Sequence, residues 1–113
     1  MTYGKQVLSD LRSPAVNLRK MIPEVYSGFV DMSRAATADG ALDTKTKELM
    51  AFAIAVTQRC DGCIASHARS AARAGATPEE AAEAIGVAIL MTGGPGTVYG
   101  PRAFEAFMEF HES

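Results

Sequence analysis

The sequence has no block of like charge. Its 11 basic and 13 acidic residues are dispersed along 113 positions, for a formal net charge of −2. Nothing in that distribution points to nucleic acid or an anionic membrane as a partner. A long apolar run is also missing. The longest, Leu49 to Val56, is far too short to cross a bilayer. The opening MTYGKQVLSDLRS has no apolar core of the kind a secretory signal requires, so the expected location is cytoplasmic. No segment sustains a period-two alternation with β-branched enrichment, which argues against strands. There is no internal repeat and no low-complexity tract. Cysteine is scarce, Cys60 and Cys63 being the only two. In a reducing compartment a C-x-x-C pair is seldom a structural staple, which leaves redox chemistry or metal binding.

What is present is helical periodicity, and the expected fold is a single all-α domain of about six helices over residues 1–113. A short amphipathic helix around Lys5 to Arg12 precedes two proline-marked breaks, Ser13-Pro14 and Ile22-Pro23. From Glu24, the residues Val25, Phe29, Met32 and Ala36 fall at helical spacing, and this helix should end near Asp39-Gly40. Asp43 is placed to cap a third helix, Thr44 to about Gln58. A fourth begins around the C-x-x-C and runs to Gly75, which suits a left-handed C-terminal cap. Thr77-Pro78-Glu79-Glu80 combines a capping hydroxyl, a proline at the first helical position and a glutamate three residues past the cap. That fifth helix should continue to Gly93-Gly94-Pro95-Gly96, read as a helix-to-helix turn because it lacks the lysine and hydroxyl of a phosphate-binding loop. A last helix carries Phe104, Phe107, Met108 and His111 on one face, with Pro101 opening or kinking it. His111, close to the C-terminus, is given no role. Helices three and five are apolar nearly all round, more than so short a chain can cover, so a homo-oligomer is expected.

The chemistry-bearing residues are gathered between Glu48 and His67. On a helix, Cys60, Cys63 and His67 stand at i, i+3 and i+7 and share one stripe. A cysteine at a helix N-terminus meets unpaired N–H groups and the positive end of the dipole, which favour the nucleophilic thiolate. His67, one turn past Cys63, can take its proton or stabilise its anion. Cys60 can close on an oxidised Cys63, the usual fate of a sulfenic acid beside a second thiol. Glu48 lies near the start of a very apolar helix. It is either a surface carboxylate in the cap region, which sequence alone favours, or it turns inward to orient His67.

Blander readings stand beside these. Two free cysteines can be small hydrophobes on a buried face, although Arg59, Asp61 and Gly62 beside them argue against a purely apolar setting. Zinc wants four ligands, and no second C-x-x-C or H-x-x-H exists. Cys60, Cys63, His67 and Glu48 would supply four only in an unusual arrangement. A c-type haem site needs histidine directly after the second cysteine, where Ile64 stands.

The run from Ala38 to Gly100, ADGALDTKTKELMAFAIAVTQRCDGCIASHARSAARAGATPEEAAEAIGVAILMTGGPGTVYG, resembles the carboxymuconolactone decarboxylase and alkylhydroperoxidase AhpD-like family. The match lies in the order glutamate, apolar helix, C-x-x-C, histidine four residues after the second cysteine, then the AGAT-P-E-E turn. The resemblance implies an all-helical fold assembled as trimers or hexamers. In the redox-active branch it implies that Cys63 attacks a hydroperoxide, His67 serves as its base, Glu48 assists through His67 or a water, and Cys60 resolves the sulfenic acid. A dithiol partner, a lipoyl or thioredoxin-like protein, would reduce the resulting disulfide, with no metal, flavin or haem. The family often holds an aromatic residue or histidine before the second cysteine, where this chain has Gly62. The decarboxylase branch generally lacks the C-x-x-C, so both cysteines favour redox chemistry. Two alternatives remain: a lactone decarboxylase using His67 and Glu48 for proton transfer, and a non-enzymatic redox-sensing oligomer.

Overall fold

The computed structural model describes residues 2–113, and among them every regular element is a helix. In chain order these are α1 (Lys5–Met21), α2 (Pro23–Thr37), α3 (Thr44–Gln58), α4 (Asp61–Arg73), α5 (Pro78–Thr92) and α6 (Gly94–His111). Helices α3 to α6 form the body, α4 and α5 each packing against both α3 and α6. The largest fully buried side chains are Phe52 and Val56 of α3, Ile64 of α4 and Phe107 of α6. Phe52 and Phe107 meet with ring centroids 6.3 Å apart and planes tilted by 53°. Alanines fill the rest of the core, Ala65, Ala68 and Ala71 on α4 facing Ala103 and Ala106 on α6, which lets the helix axes approach closely. None of the described helices is long and apolar enough to cross a membrane.

Local chemistry explains most boundaries. The Asp43 carboxylate accepts the Thr46 N–H at 2.8 Å and opens α3. At α5 the capping box is complete: Thr77 Oγ1 accepts the Glu80 N–H at 3.1 Å, and the Glu80 carboxylate accepts the Thr77 N–H at 2.9 Å. The second oxygen of Glu80 meets Lys45 Nζ at 2.9 Å, which ties α5 to the start of α3. That lysine draws Glu80 below the usual carboxylate range, and the carboxylate in turn holds Lys45 above the ordinary lysine value. Thr77→Ala is expected to lower stability by about 1 kcal/mol, read from the urea midpoint at constant slope. Gly75, at φ +93°, provides the left-handed turn after α4.

Two proline readings are corrected. Pro14 does not break the first helix, which runs on to Met21. Its missing N–H strands only the carbonyl of Asp10, an exposed residue whose backbone water can satisfy. Ile22-Pro23 is the true break. Pro101 does not open α6 but lies inside it, and the carbonyl it leaves without a partner belongs to exposed Thr97. The glycine run is also not a turn beyond its first residue. Gly93, at φ +68°, makes the corner, and Gly94-Pro95-Gly96 is the first turn of α6. Gly96 is there for packing: a Cβ on it would strike Thr92 Oγ1 and stand 2.9 Å from Ile89 Cα on α5. The apolar face expected on the last helix is also shifted. Ala103, Ala106 and Phe107 are buried while Phe104 is not, and His111 stacks on Phe107 at 5.7 Å.

Helices α1 and α2 contain no buried residue. Val25, Phe29 and Met32, the stripe anticipated on α2, are each more than 60 % exposed, because no further layer of this chain lies outside them. The outer faces of α3 and α5 are equally bare, with Ile54, Val87, Leu90 and Met91 exposed. The hairpin is held at its ends. The N–H groups of Gly4 and Lys5 donate to the two Glu109 oxygens at 3.1 and 3.0 Å. At the far end Thr44 Oγ1 donates to the Thr37 carbonyl at 2.7 Å.

Candidate active site

Helix α3 stops at Arg59, which adopts the left-handed conformation (φ 54°, ψ 43°) and donates its N–H back to the carbonyl of Val56. A non-glycine residue there costs about 1–2 kcal/mol. The sharp corner sets Cys60 directly on the N-cap of α4, where its Sγ accepts the Cys63 N–H at 3.3 Å. The two cysteines are joined as a disulfide with Cα atoms 5.2 Å apart. Cys63 is the more exposed of the two. The pair therefore sits on the first turn of a helix, against N–H groups that favour negative charge on sulfur.

His67 follows one turn later on the same stripe. Its Nδ1 lies 2.7 Å from Glu48 Oε1, a pairing that crosses from α4 to α3. Glu48 is only 7 % exposed and is the one buried charged side chain among the described residues. Of the two sequence readings of this carboxylate, the inward one describes the structure. An ionised carboxylate can only accept, so a neutral imidazole paired with it carries its proton on Nδ1 and keeps Nε2 as the acceptor. Among the described residues no three His, Cys, Asp or Glu side chains are grouped as a metal would need.

Two cavities meet at Cys63 and His67. One, of about 280 Å³, opens on the α3 side beside Ala51, Ile54 and Gln58. The other, of about 590 Å³, lies between α4 and the α1–α2 hairpin. Leu8, Leu11 and Ala15 of α1 and Tyr26 and Phe29 of α2 form its outer wall. Cys60 opens only onto this second cavity, whereas Cys63 opens onto both. Sequence reasoning gave these wall residues no part in the site, and of those on α1 only Ala15 lies beyond the expected helix, at i+7 from Leu8 and i+4 from Leu11 once the period is carried through Pro14. Arg102 is also new to the picture. Its guanidinium lies over the rings of Tyr3 and Tyr99, at 5.1 and 4.7 Å, and 3.8 Å from the carboxylate of Asp61, the first residue of α4. No spacing in the sequence signals that contact.

An all-α body presenting a helix-capping cysteine pair beside a histidine–glutamate couple is an arrangement compatible with redox function. Residues 23–106 match the model of the carboxymuconolactone decarboxylase family, and the chain belongs to that family. It is 42 % identical over 103 residues to an uncharacterised protein of Cupriavidus necator, covering 91 % of each chain. An uncharacterised protein of the Paracoccus denitrificans cox locus is 41 % identical over 85 residues, which are 75 % of this chain and 77 % of that one. Among solved structures, the apo form of a carboxymuconolactone decarboxylase family protein from Legionella pneumophila superposes with a TM-score of 0.89 at 44 % identity, covering 94 % of this chain and 95 % of that one. A family member from Thermotoga maritima, for which a part in an antioxidative response has been suggested, gives a TM-score of 0.71 at 31 % identity, with 86 % and 89 % covered.

Proposed function

We propose that this protein is a thiol-dependent peroxidase that cycles Cys60 and Cys63 between dithiol and disulfide. The observation that carries the reading is the buried Glu48 carboxylate bonded to His67, one helical turn from a cysteine at the start of a helix. In the reduced protein His67 takes the Cys63 proton, and the thiolate attacks the terminal oxygen of a hydroperoxide. The S–O bond forms as the O–O bond breaks. The leaving alkoxide takes a proton and departs as an alcohol, and Cys63 becomes a sulfenic acid. Cys60 then attacks that sulfur and releases water, so two electrons from the dithiol have reduced one peroxide. An external dithiol, of the lipoyl or thioredoxin-like kind, restores the pair by attacking Cys63, the sulfur more open to solvent. In the reducing cytoplasm the resting pair would be the dithiol.

The working unit is a homo-oligomer, a trimer or hexamer of this single domain. The chain exposes 6979 Å², whereas a compact monomer of its mass would expose about 5,900 Å². The excess of about 1,000 Å² is the size of one partner's share of an ordinary interface. It comes where the α1–α2 hairpin and the outer faces of α3 and α5 leave large apolar side chains bare.

The test is the intact mass of reduced protein before and after one equivalent of an organic hydroperoxide, with free thiols counted in parallel. Loss of both thiols without added oxygen is the expected result, and two intact thiols would overturn the reading. A second reading rests on the Glu48–His67 pair alone, which could move protons in a lactone decarboxylase. Turnover of a carboxylated lactone by a Cys60→Ser/Cys63→Ser double variant would favour it.

A further inference from the structure

The larger cavity at the cysteines is walled by one thin layer. Its outer side is the α1–α2 hairpin, in which no residue is buried, and its inner side is the N-cap and first two turns of α4. No aspartate, glutamate, lysine or arginine lines it, and away from His67 its polar groups are the hydroxyls of Tyr26, Ser33 and Ser66, so the lining toward the hairpin suits an uncharged substituent. Helix α1 lies along α4, and one of their close approaches is at Gly62. A Cβ on Gly62 would stand 2.9 Å from Leu11 Cδ1, nearer than real side chains come. Leu11 therefore rests on the bare Cα of the residue that precedes Cys63. A side chain at position 62 would have to displace the end of Leu11, and a change in the size of residue 11 alters the hairpin-side approach to the sulfur.

We infer that Leu11, seated on Gly62, sets the size limit for the uncharged organic substituent of any electrophile that reaches Cys63 from the hairpin side. Under the peroxidase reading, on which the biological meaning rests, that electrophile is a hydroperoxide, and Leu11 is a specificity-determining residue. The glycine at 62 is then the feature that lets α1 lie close enough to form the wall. Leu11 is 46 % exposed, so its replacement leaves the body of the fold intact.

The experiment uses reduced full-length protein carrying Cys60→Ser, so that Cys63 is the only thiol, and measures its alkylation rate with iodoacetamide and with N-phenylmaleimide. The readout is the ratio of the bulky to the small reagent. Leu11→Ala should raise the ratio severalfold and Leu11→Phe should lower it. Gly62→Ala should shift the ratio when Leu11 is present and leave it unchanged in the Leu11→Ala background, which isolates the contact from a general loosening of the hairpin. An unchanged ratio in both Leu11 variants, or a shift of the same sign in both, would overturn the inference. Consumption of cumene hydroperoxide relative to hydrogen peroxide, with Cys60 restored, should follow the same order. If no variant consumes either peroxide while the alkylation ratios still separate, the wall stands and the peroxidase reading falls. If all consume both and the alkylation ratios do not separate, the reverse holds.

Discussion

Cys63→Ser is expected to lose hydroperoxide turnover by more than about a thousandfold, because a serine hydroxyl at this helix start has no comparable anion to offer. The partner variant should fail differently. Cys60→Ser keeps the attacking thiol and removes the one that resolves it. Such a protein should consume one equivalent of hydroperoxide, gain a single oxygen in mass, and stop. Stopped-flow consumption with intact mass on both variants checks this. If instead Cys63→Ser traps the added oxygen and Cys60→Ser is inert, the two cysteines exchange roles. The asymmetry rests on access, since Cys63 opens onto both cavities beside His67 and Cys60 onto only one.

The second large effect concerns the Glu48–His67 couple. His67→Ala removes the group placed to deprotonate Cys63 and should lower turnover by about 10² to 10⁴. Glu48→Met is the more telling change. Replacing only one member of a buried pair leaves the other without its partner, which destabilises the fold even where the new side chain matches the old in volume. The variant is therefore expected to lower its Tm and to lose turnover by more than about tenfold, as the imidazole loses the acceptor that fixes its tautomer. Thermal unfolding and turnover measured on one preparation check both parts. A drop in Tm with turnover preserved would make Glu48 a structural residue. His67→Ala should also flatten the pH profile of Cys63 alkylation, which a purely structural role would leave alone.

How much of this was legible beforehand depended on the range of the interaction. The capped starts of α3 and α5 were readable because Asp43 and Thr77 act on N–H groups three residues away. The stripe of Cys60, Cys63 and His67 was readable for the same reason. Pro14 misled because a proline's cost depends on whether its stranded carbonyl meets water, and that is a property of the surface. The Gly93 to Gly96 run misled because glycine serves turns and close helix contacts equally. Only the approach of Ile89 to Gly96 tells them apart.

By itself, then, the sequence determined the helical class, most helix boundaries and the alignment of Cys60, Cys63 and His67 at the start of α4, all of them consequences of backbone periodicity and short-range capping. The tertiary structure decided the rest. Glu48 and His67 lie 19 residues apart, and whether that carboxylate faced water or the imidazole depended on how α3 crosses α4. Leu11 reaches Gly62 only because α1 lies along α4. Neither contact has a local signature, since burial and cavity shape arise from the packing of whole helices and not from the spacing of residues along any one of them.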